Sequence, residues 1–186
     1  LINLKNQEGI DRMKGIADEV SDLVLEYGGS LSGEHGDGLV RSGYNEKMFG
    51  SQLYQAFKDV TNTFDPKGIM NPGKIVDSPP MTENLRYGTT YNTINPGNGF
   101  GFNTEGGSLP SAIEMCNGQG ECRKVTSGTM CPSYMVTRDE EHSTRGRANA
   151  LRAAISGAIP TSSLTDERMY QVMDLCLECK GCKSEC

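Results

Sequence analysis

Eleven residues constrain this chain more than any others: Cys176-Leu-Glu-Cys179-Lys-Gly-Cys182-Lys-Ser-Glu-Cys186. The spacing, C-x2-C-x2-C-x3-C, sets three thiols one short loop apart, close enough to hold three corners of an iron–sulfur cube. The fourth cysteine of such a run points away and commonly serves a second cluster. Upstream lie Cys116-x5-Cys122 and Cys131-Pro132, and a Cys-Pro pair marks that outward-pointing position. Two other uses of seven cysteines compete. A disulfide framework calls for a secretory context, which nothing here supplies. Zinc also takes four thiolates, but its ligands usually fall into two pairs across an intervening loop. Iron–sulfur binding fits the run best.

The assignment of cysteines to clusters stays open. Two four-iron clusters need eight thiolates, and the chain has seven. A crossed arrangement gives one full site, Cys131, Cys176, Cys179 and Cys182, and leaves Cys116, Cys122 and Cys186 one ligand short. The missing corner is then a non-cysteine ligand, a residue outside this sequence, or the empty corner of a three-iron cluster. A single cluster on Cys176, Cys179, Cys182 and Cys186 satisfies the spacing equally. A chain that stops on a ligand, Cys186, is expected to be cut from a longer one.

The charge balance, 18 Lys and Arg against 24 Asp and Glu, gives a net charge of -6 and lacks the basic footprint of nucleic-acid binding. No apolar run approaches the roughly 20 residues of a membrane helix. The N-terminal residues lack the apolar stretch of a signal peptide, so the expected location is cytoplasmic or peripheral to an inner membrane. Cysteines divide the chain, with none before Cys116. In the first half, Ile10, Met13, Ala17, Val20, Val24 and Tyr27 predict an amphipathic helix from Glu8 to Tyr27, ended by Gly28-Gly29. Met48, Phe49, Leu53, Ala56, Phe57, Val60 and Phe64 predict a second, Asn45 to Phe64, stopped at Asp65-Pro66. Turns should follow through Gly73. Gly88 to Gly107 reads as flexible coil. Later, Ser143 or Thr144 should cap a helix ending at Gly157, and Thr165 another running into Cys176.

A second chemical candidate is Ser32-Gly33-Glu34-His35-Gly36-Asp37-Gly38. A neutral imidazole near pH 7 suits a general base, Glu34 offers a metal ligand, and the glycines let backbone approach a ligand. Taken bare, the signal is weak, and a polar Gly-rich turn with a surface histidine is the more common explanation. His142 reads as a solvated residue before a helix. Arg123, Arg138, Arg145 and Arg147 surround the cysteines in sequence, where positive charge would favour a reduced cluster; a solvated helix start is the alternative.

The Glu-His loop, followed by Asp65-Pro-Lys-Gly-Ile-Met-Asn-Pro-Gly-Lys74, resembles the C-terminal end of FAD-linked oxidases of the vanillyl-alcohol-oxidase type, a group that includes D-lactate, glycolate and D-2-hydroxyglutarate dehydrogenases. Met115-Cys-Asn-Gly-Gln-Gly-Glu-Cys-Arg123, Gly128-Thr-Met-Cys-Pro-Ser-Tyr134 and Ser143-Thr-Arg-Gly-Arg-Ala-Asn149 resemble the ferredoxin domain fused to such oxidases. The resemblance is closest to the bacterial D-2-hydroxyglutarate dehydrogenase type, which carries both parts on one chain. It implies an α+β fold: residues 1–87 as the C-terminal part of a substrate domain, 88–110 as linker, and 111–186 as a mostly α-helical 4Fe-4S ferredoxin domain.

By the same resemblance, hydride passes from a D-2-hydroxyacid to FAD, which is held mainly by residues outside this sequence. His35 is similar to the active-site base. Glu34 is similar to a ligand of a divalent metal, zinc by expectation, whose other ligands, a His-x6-His pair, lie upstream. Asn71 and Lys74 belong near the flavin. Electrons then leave through one or two 4Fe-4S clusters to an acceptor, a carrier protein or the quinone chain. The alternatives are a glycolate or D-lactate dehydrogenase, a pure electron-transfer subunit, and a zinc-stabilised interaction module. A pure carrier has no need of the Glu34-His35 loop.

Overall fold

An asparagine side chain starts the first helix. In the computed structural model, which describes residues 2–97 and 99–186, Asn6 accepts from the Gly9 N–H at 2.8 Å and α1 runs Gln7–Glu26. Its chain turns off at Gly28-Gly29 as the apolar period predicts, the Gly29 N–H reaching back to the Val24 carbonyl at 2.8 Å. The second helix, α2, spans Asn45–Phe64. It is broken at Gly50, whose φ of 77° lies in the left-handed region that a side chain disfavours. Asp65 ends it and folds the turn that follows, its buried carboxylate accepting from the Ile69 and Met70 N–H groups at 3.0 and 2.7 Å. Polar contacts bridge the two helices: Tyr44 donates to Asp18 at 2.8 Å, and Lys47 reaches Ser21 and Asp22 at 2.7 and 2.6 Å.

The chain divides into two compact units, Leu1–Tyr91 and Asn92–Cys186. In the second, α3 (Leu109–Glu114), α4 (Pro132–Thr137), α5 (Thr144–Ile155), α6 (Glu167–Asp174) and α7 (Gly181–Glu185) are joined by short 3-10 turns. α5 is the centre, packed against α3, α6 and the turns at Glu140–His142 and Thr161–Thr165. Ser143 caps it through the Gly146 N–H at 2.9 Å, and Ala154 and Ile155 are buried at its end. The next cap is Asp166, not the expected Thr165; a carboxylate one residue on accepts from the Met169 N–H at 2.8 Å. The first helix of this unit, α3, starts inside the stretch read as linker, because Ser108 caps it and Pro110 fits its first turn.

Among the described residues there is no strand, so the α+β expectation is not met in this stretch. The physical reason lies in where the irregular backbone spends its N–H groups. Those of Ile69, Met70, Ile75 and Asp77 go to the side chains of Asp65, Ser42 and Tyr54 rather than to a neighbouring strand. Among the described residues, no helix is long and apolar enough to cross a membrane.

Candidate metal centres

The run from Cys176 to Lys180 has no regular structure and curls through two residues in the left-handed region, Glu178 at φ 52° and Lys180 at φ 63°. Non-glycine residues are uncommon there, and two within three positions bend the loop into a cup. Cys176, Cys179 and Cys182 line its inner side. The wall opposite is the Cys131-Pro132 start of α4, so one cavity of about 280 Å³ has Cys131, Cys176, Cys179 and Cys182 on its surface. A second cavity, about 360 Å³, is lined by Cys116, Cys122, Cys182 and Cys186. Cys182 and Thr144, the first residue of α5, border both.

The donor set suits a metal–sulfur cluster in several respects. All seven cysteines are free thiols. A zinc tetrahedron with 2.3 Å bonds would draw its thiolates to about 3.8 Å from one another. Among the described residues, no three thiols come within 4.8 Å of one another; only Asp139, Glu141 and His142 group that tightly. These thiols instead line open cups, as a larger sulfur-bridged core requires. Burial and the neighbouring thiols of Cys116, Cys122 and Cys182 hold the Cys186 pKa above its ordinary value. Such crowding of like charge is relieved by a cationic centre.

Hydrogen bonds reach two of the sulfurs. The Arg145 N–H donates to Cys122 Sγ at 3.3 Å. At Cys131, burial alone would raise the thiol pKa. Hydrogen bonds from Ser133, the Tyr134 backbone, Arg147 and Thr144 outweigh burial and leave it lowered. Cys122, Met130, Cys131 and Tyr134 form one buried cluster, so two of the three upstream cysteines are anchored in the core. The Glu185 carboxylate accepts from the Thr129 and Met130 N–H groups at 2.6 and 3.2 Å, tying the end of the four-cysteine run to the segment before Cys131. No local pattern announces this tie, since it joins residues more than fifty positions apart.

In the first unit, the Glu34-His35 pair stands exposed, the two side chains 3.7 Å apart. Gly36 and Gly38 take left-handed φ values of 73° and 60°. They line a cavity of about 770 Å³ together with Asn71 and Lys74. Lys74 donates to Asn71 at 3.1 Å. Two buried side chains hold this arrangement. Ser42 bonds the Gly38 carbonyl and the Ile75 N–H, and Asn45 donates to the Ile75 carbonyl at 3.0 Å. So the loop and the Asn71–Lys74 segment come together, while Glu34 and His35 lie outside that cavity. His142, read as solvated, instead contacts Thr137 Oγ1 at 3.0 Å and Glu141 at 3.4 Å, with its side chain only 15% exposed.

Comparison with known proteins matches each unit to a domain. Residues 1–75 match the C-terminal domain of FAD linked oxidases, and residues 104–186 match the 4Fe-4S dicluster domain. The whole chain aligns with D-2-hydroxyglutarate dehydrogenases from Pseudomonas putida, at 31% identity, and Haemophilus influenzae, at 28%. It spans 21% of the length of each. A glycolate oxidase subunit of Bacillus subtilis is 32% identical over 39% of the chain and 16% of its own length. No solved structure matches significantly. The chain therefore joins the C-terminal domain of an FAD-linked oxidase to a 4Fe-4S dicluster domain, and along its whole length it is similar to D-2-hydroxyglutarate dehydrogenases.

Proposed function

We propose that this chain works within a flavin- and iron–sulfur-dependent dehydrogenase that oxidises a D-2-hydroxyacid, D-2-hydroxyglutarate to 2-oxoglutarate. The observation that carries the reading is the grouping of cysteines around two cavities on a chain that also holds an FAD-linked oxidase domain. The full-length alignment favours D-2-hydroxyglutarate, since the glycolate oxidase relative covers only 39% of the chain. Bound FAD takes two electrons as hydride, and iron–sulfur clusters pass them on singly.

The residues of this chain have separate tasks. Cys131, Cys176, Cys179 and Cys182 hold one 4Fe-4S cluster. Cys116, Cys122 and Cys186 hold a second, whose fourth corner is a non-cysteine ligand, a residue outside this sequence, or the empty corner of a three-iron cluster. His35 accepts the substrate hydroxyl proton and Glu34 binds a divalent metal, zinc, with ligands supplied from outside this stretch. The exposure of both side chains and the glycines beside them leave room for that closure. Asn71 and Lys74 border the flavin, residues 1–87 serve the oxidase part, and 88–110 link it to the iron–sulfur part. The enzyme acts in the cytoplasm and hands electrons to a carrier protein or to the quinone chain.

Anaerobic purification tests the reading. The protein should be brown, with iron and acid-labile sulfide in similar amounts, and Cys131→Ala should damage the same spectroscopic signal as Cys179→Ala. A colourless protein holding stoichiometric zinc refutes it. With the flavin part present, His35→Ala should lower kcat by about 10²–10⁴-fold, the range for a positioned base, without loss of cluster colour. Near-normal turnover would return the loop to a polar turn.

A further inference from the structure

Of the three arginines on α5, Arg145 and Arg147 stand two positions apart and meet different fates. The Arg145 guanidinium forks onto Glu140 at 2.7 and 3.0 Å and donates to the Gly118 carbonyl at 2.8 Å. Its charge is offset by a carboxylate. Arg147 is buried, 8% exposed. It donates to the Val172 carbonyl at 3.0 Å, to Ser133 Oγ at 3.0 Å and to Cys131 Sγ at 3.5 Å. None of the three acceptors is a carboxylate, and among the described residues no carboxylate forms an ion pair with it. Burying a cation without a counter-ion is costly, so the site is organised around a negative charge that Arg147 faces.

The other charged groups on the Cys131 cavity do not supply that charge. Glu178 and Lys180 lie 4.0 Å apart, offset one another and stand 83% and 78% exposed, where water screens them. On the second cavity Arg145 pairs with Glu140 and Glu121 with Lys124, and the remaining lining charges, Glu105 and Lys183, are one of each sign. One cavity thus faces a buried, uncompensated guanidinium bonded to a ligand sulfur, and the other faces balanced charge.

We infer that Arg147 sets the order of the two reduction potentials, making the cluster held by Cys131, Cys176, Cys179 and Cys182 the more readily reduced of the pair. The inference rests on the two-cluster reading above. A cluster gains one negative charge on reduction. A buried cation with a hydrogen bond to its ligand sulfur stabilises that state in low dielectric, and hydrogen bonding to sulfur raises the potential in the same sense. With both clusters bound, an electron shared between them would rest on the one held by Cys131, Cys176, Cys179 and Cys182, which Arg147 faces. The exposed rim of that cavity, with Leu177 at 72% exposure, is where an acceptor can approach.

A redox titration followed by electron paramagnetic resonance on the cluster-loaded chain tests this. The wild type should show two couples, and loss of one in Cys179→Ala assigns it to the Cys131 cavity. In Arg147→Gln the reduction equilibrium of that couple should fall at least tenfold, about 59 mV for one electron, while the other moves less than threefold. Arg147→Lys, which keeps the charge, should restore most of the difference. If Arg147→Gln loads no cluster, Ser133→Asp replaces it, placing a carboxylate against the guanidinium; the same couple should fall. Two couples that do not move, or that move together, overturn the role of Arg147 and leave the two-cluster reading standing. A wild type without two couples removes that reading and the inference with it.

Discussion

At Asp18 two donors from different helices converge on one carboxylate: Lys14 at 2.7 Å from α1, and the Tyr44 hydroxyl at 2.8 Å from the start of α2. The hydrogen bond from Lys14 first, and then that from Tyr44, hold the Asp18 pKa below its ordinary value of 3.8. Tyr44 moves the other way. Burial, then the Asp18 bond, push it from 10.0 up to about 12. The signs follow from which form the fold prefers. A depressed carboxylate stabilises the fold above pH 3.8, and that contribution is lost as pH falls through the lower, folded value. A raised phenol stabilises it below pH 10, and that contribution is lost as pH rises from 10 to about 12. Chemical denaturation of the first unit against pH should therefore show both limbs. In Tyr44→Phe the alkaline limb should disappear while most of the acid limb stays, because Lys14 remains. An unchanged alkaline limb in that variant would dissociate the limb from Tyr44. Little of this pairing is legible in the sequence, since Asp18 and Tyr44 are separated by 26 positions and carry no motif. Arg147 stands out there only as one of four arginines near cysteines; its burial separates it from the other three.

Among the elements, the long helices were legible and the short ones were not. α1 and α2 carry apolar side chains every three or four residues over 20 positions each, and Asp65-Pro66 announces the end of α2. α3, α4 and α7 have six, six and five residues, too few for a period to show. Their only local signals were Ser108 with Pro110 and the proline after Cys131. α5 was legible from its cap, but not how closely it docks. A Cβ at Gly146 would lie 2.0 Å from the Glu140 carbonyl oxygen, so only glycine lets the first turn of α5 approach the 3-10 turn before it. At Gly15, within α1, an added Cβ would meet nothing within 4 Å. The two sites should answer the same substitution with opposite signs. Gly146→Ala should destabilise the second unit by about 1–3 kcal/mol, the usual cost of overpacking. Gly15→Ala should stabilise the first by about 0.5–1 kcal/mol, by removing backbone freedom from the unfolded chain. Urea unfolding of each variant, with a separate probe on each unit, checks both. A neutral Gly146→Ala would mean that α5 does not pack as closely as described.

For the whole molecule, the two units differ in how much they cover of themselves. The stripes that predicted α1 and α2 are largely open in this chain: Val20, Tyr27, Phe49, Leu53, Val60 and Phe64 are 42–80% exposed. An amphipathic helix forms to bury its apolar face. The helices were readable for that reason, but no pattern in the sequence says what covers their open faces. The second unit supplies its own core. Ile113, Cys122, Met130, Cys131, Tyr134, Ala154, Ile155, Met169 and Val172 are all less than 9% exposed. Both cysteine-lined cavities are bordered only by residues of this unit, between Glu105 and Cys186. Residues 92–186 alone should therefore take up as much iron and sulfide per molecule as the whole chain when reconstituted without oxygen. They should also give the same visible spectrum and unfold cooperatively. Residues 1–91 should take up none, and their open apolar stripes should bind a hydrophobic dye such as anilinonaphthalene sulfonate more strongly than residues 92–186 do. If residues 92–186 bind no iron while the whole chain does, a ligand or a stabilising surface comes from the first unit, and the second is not an independent cluster carrier.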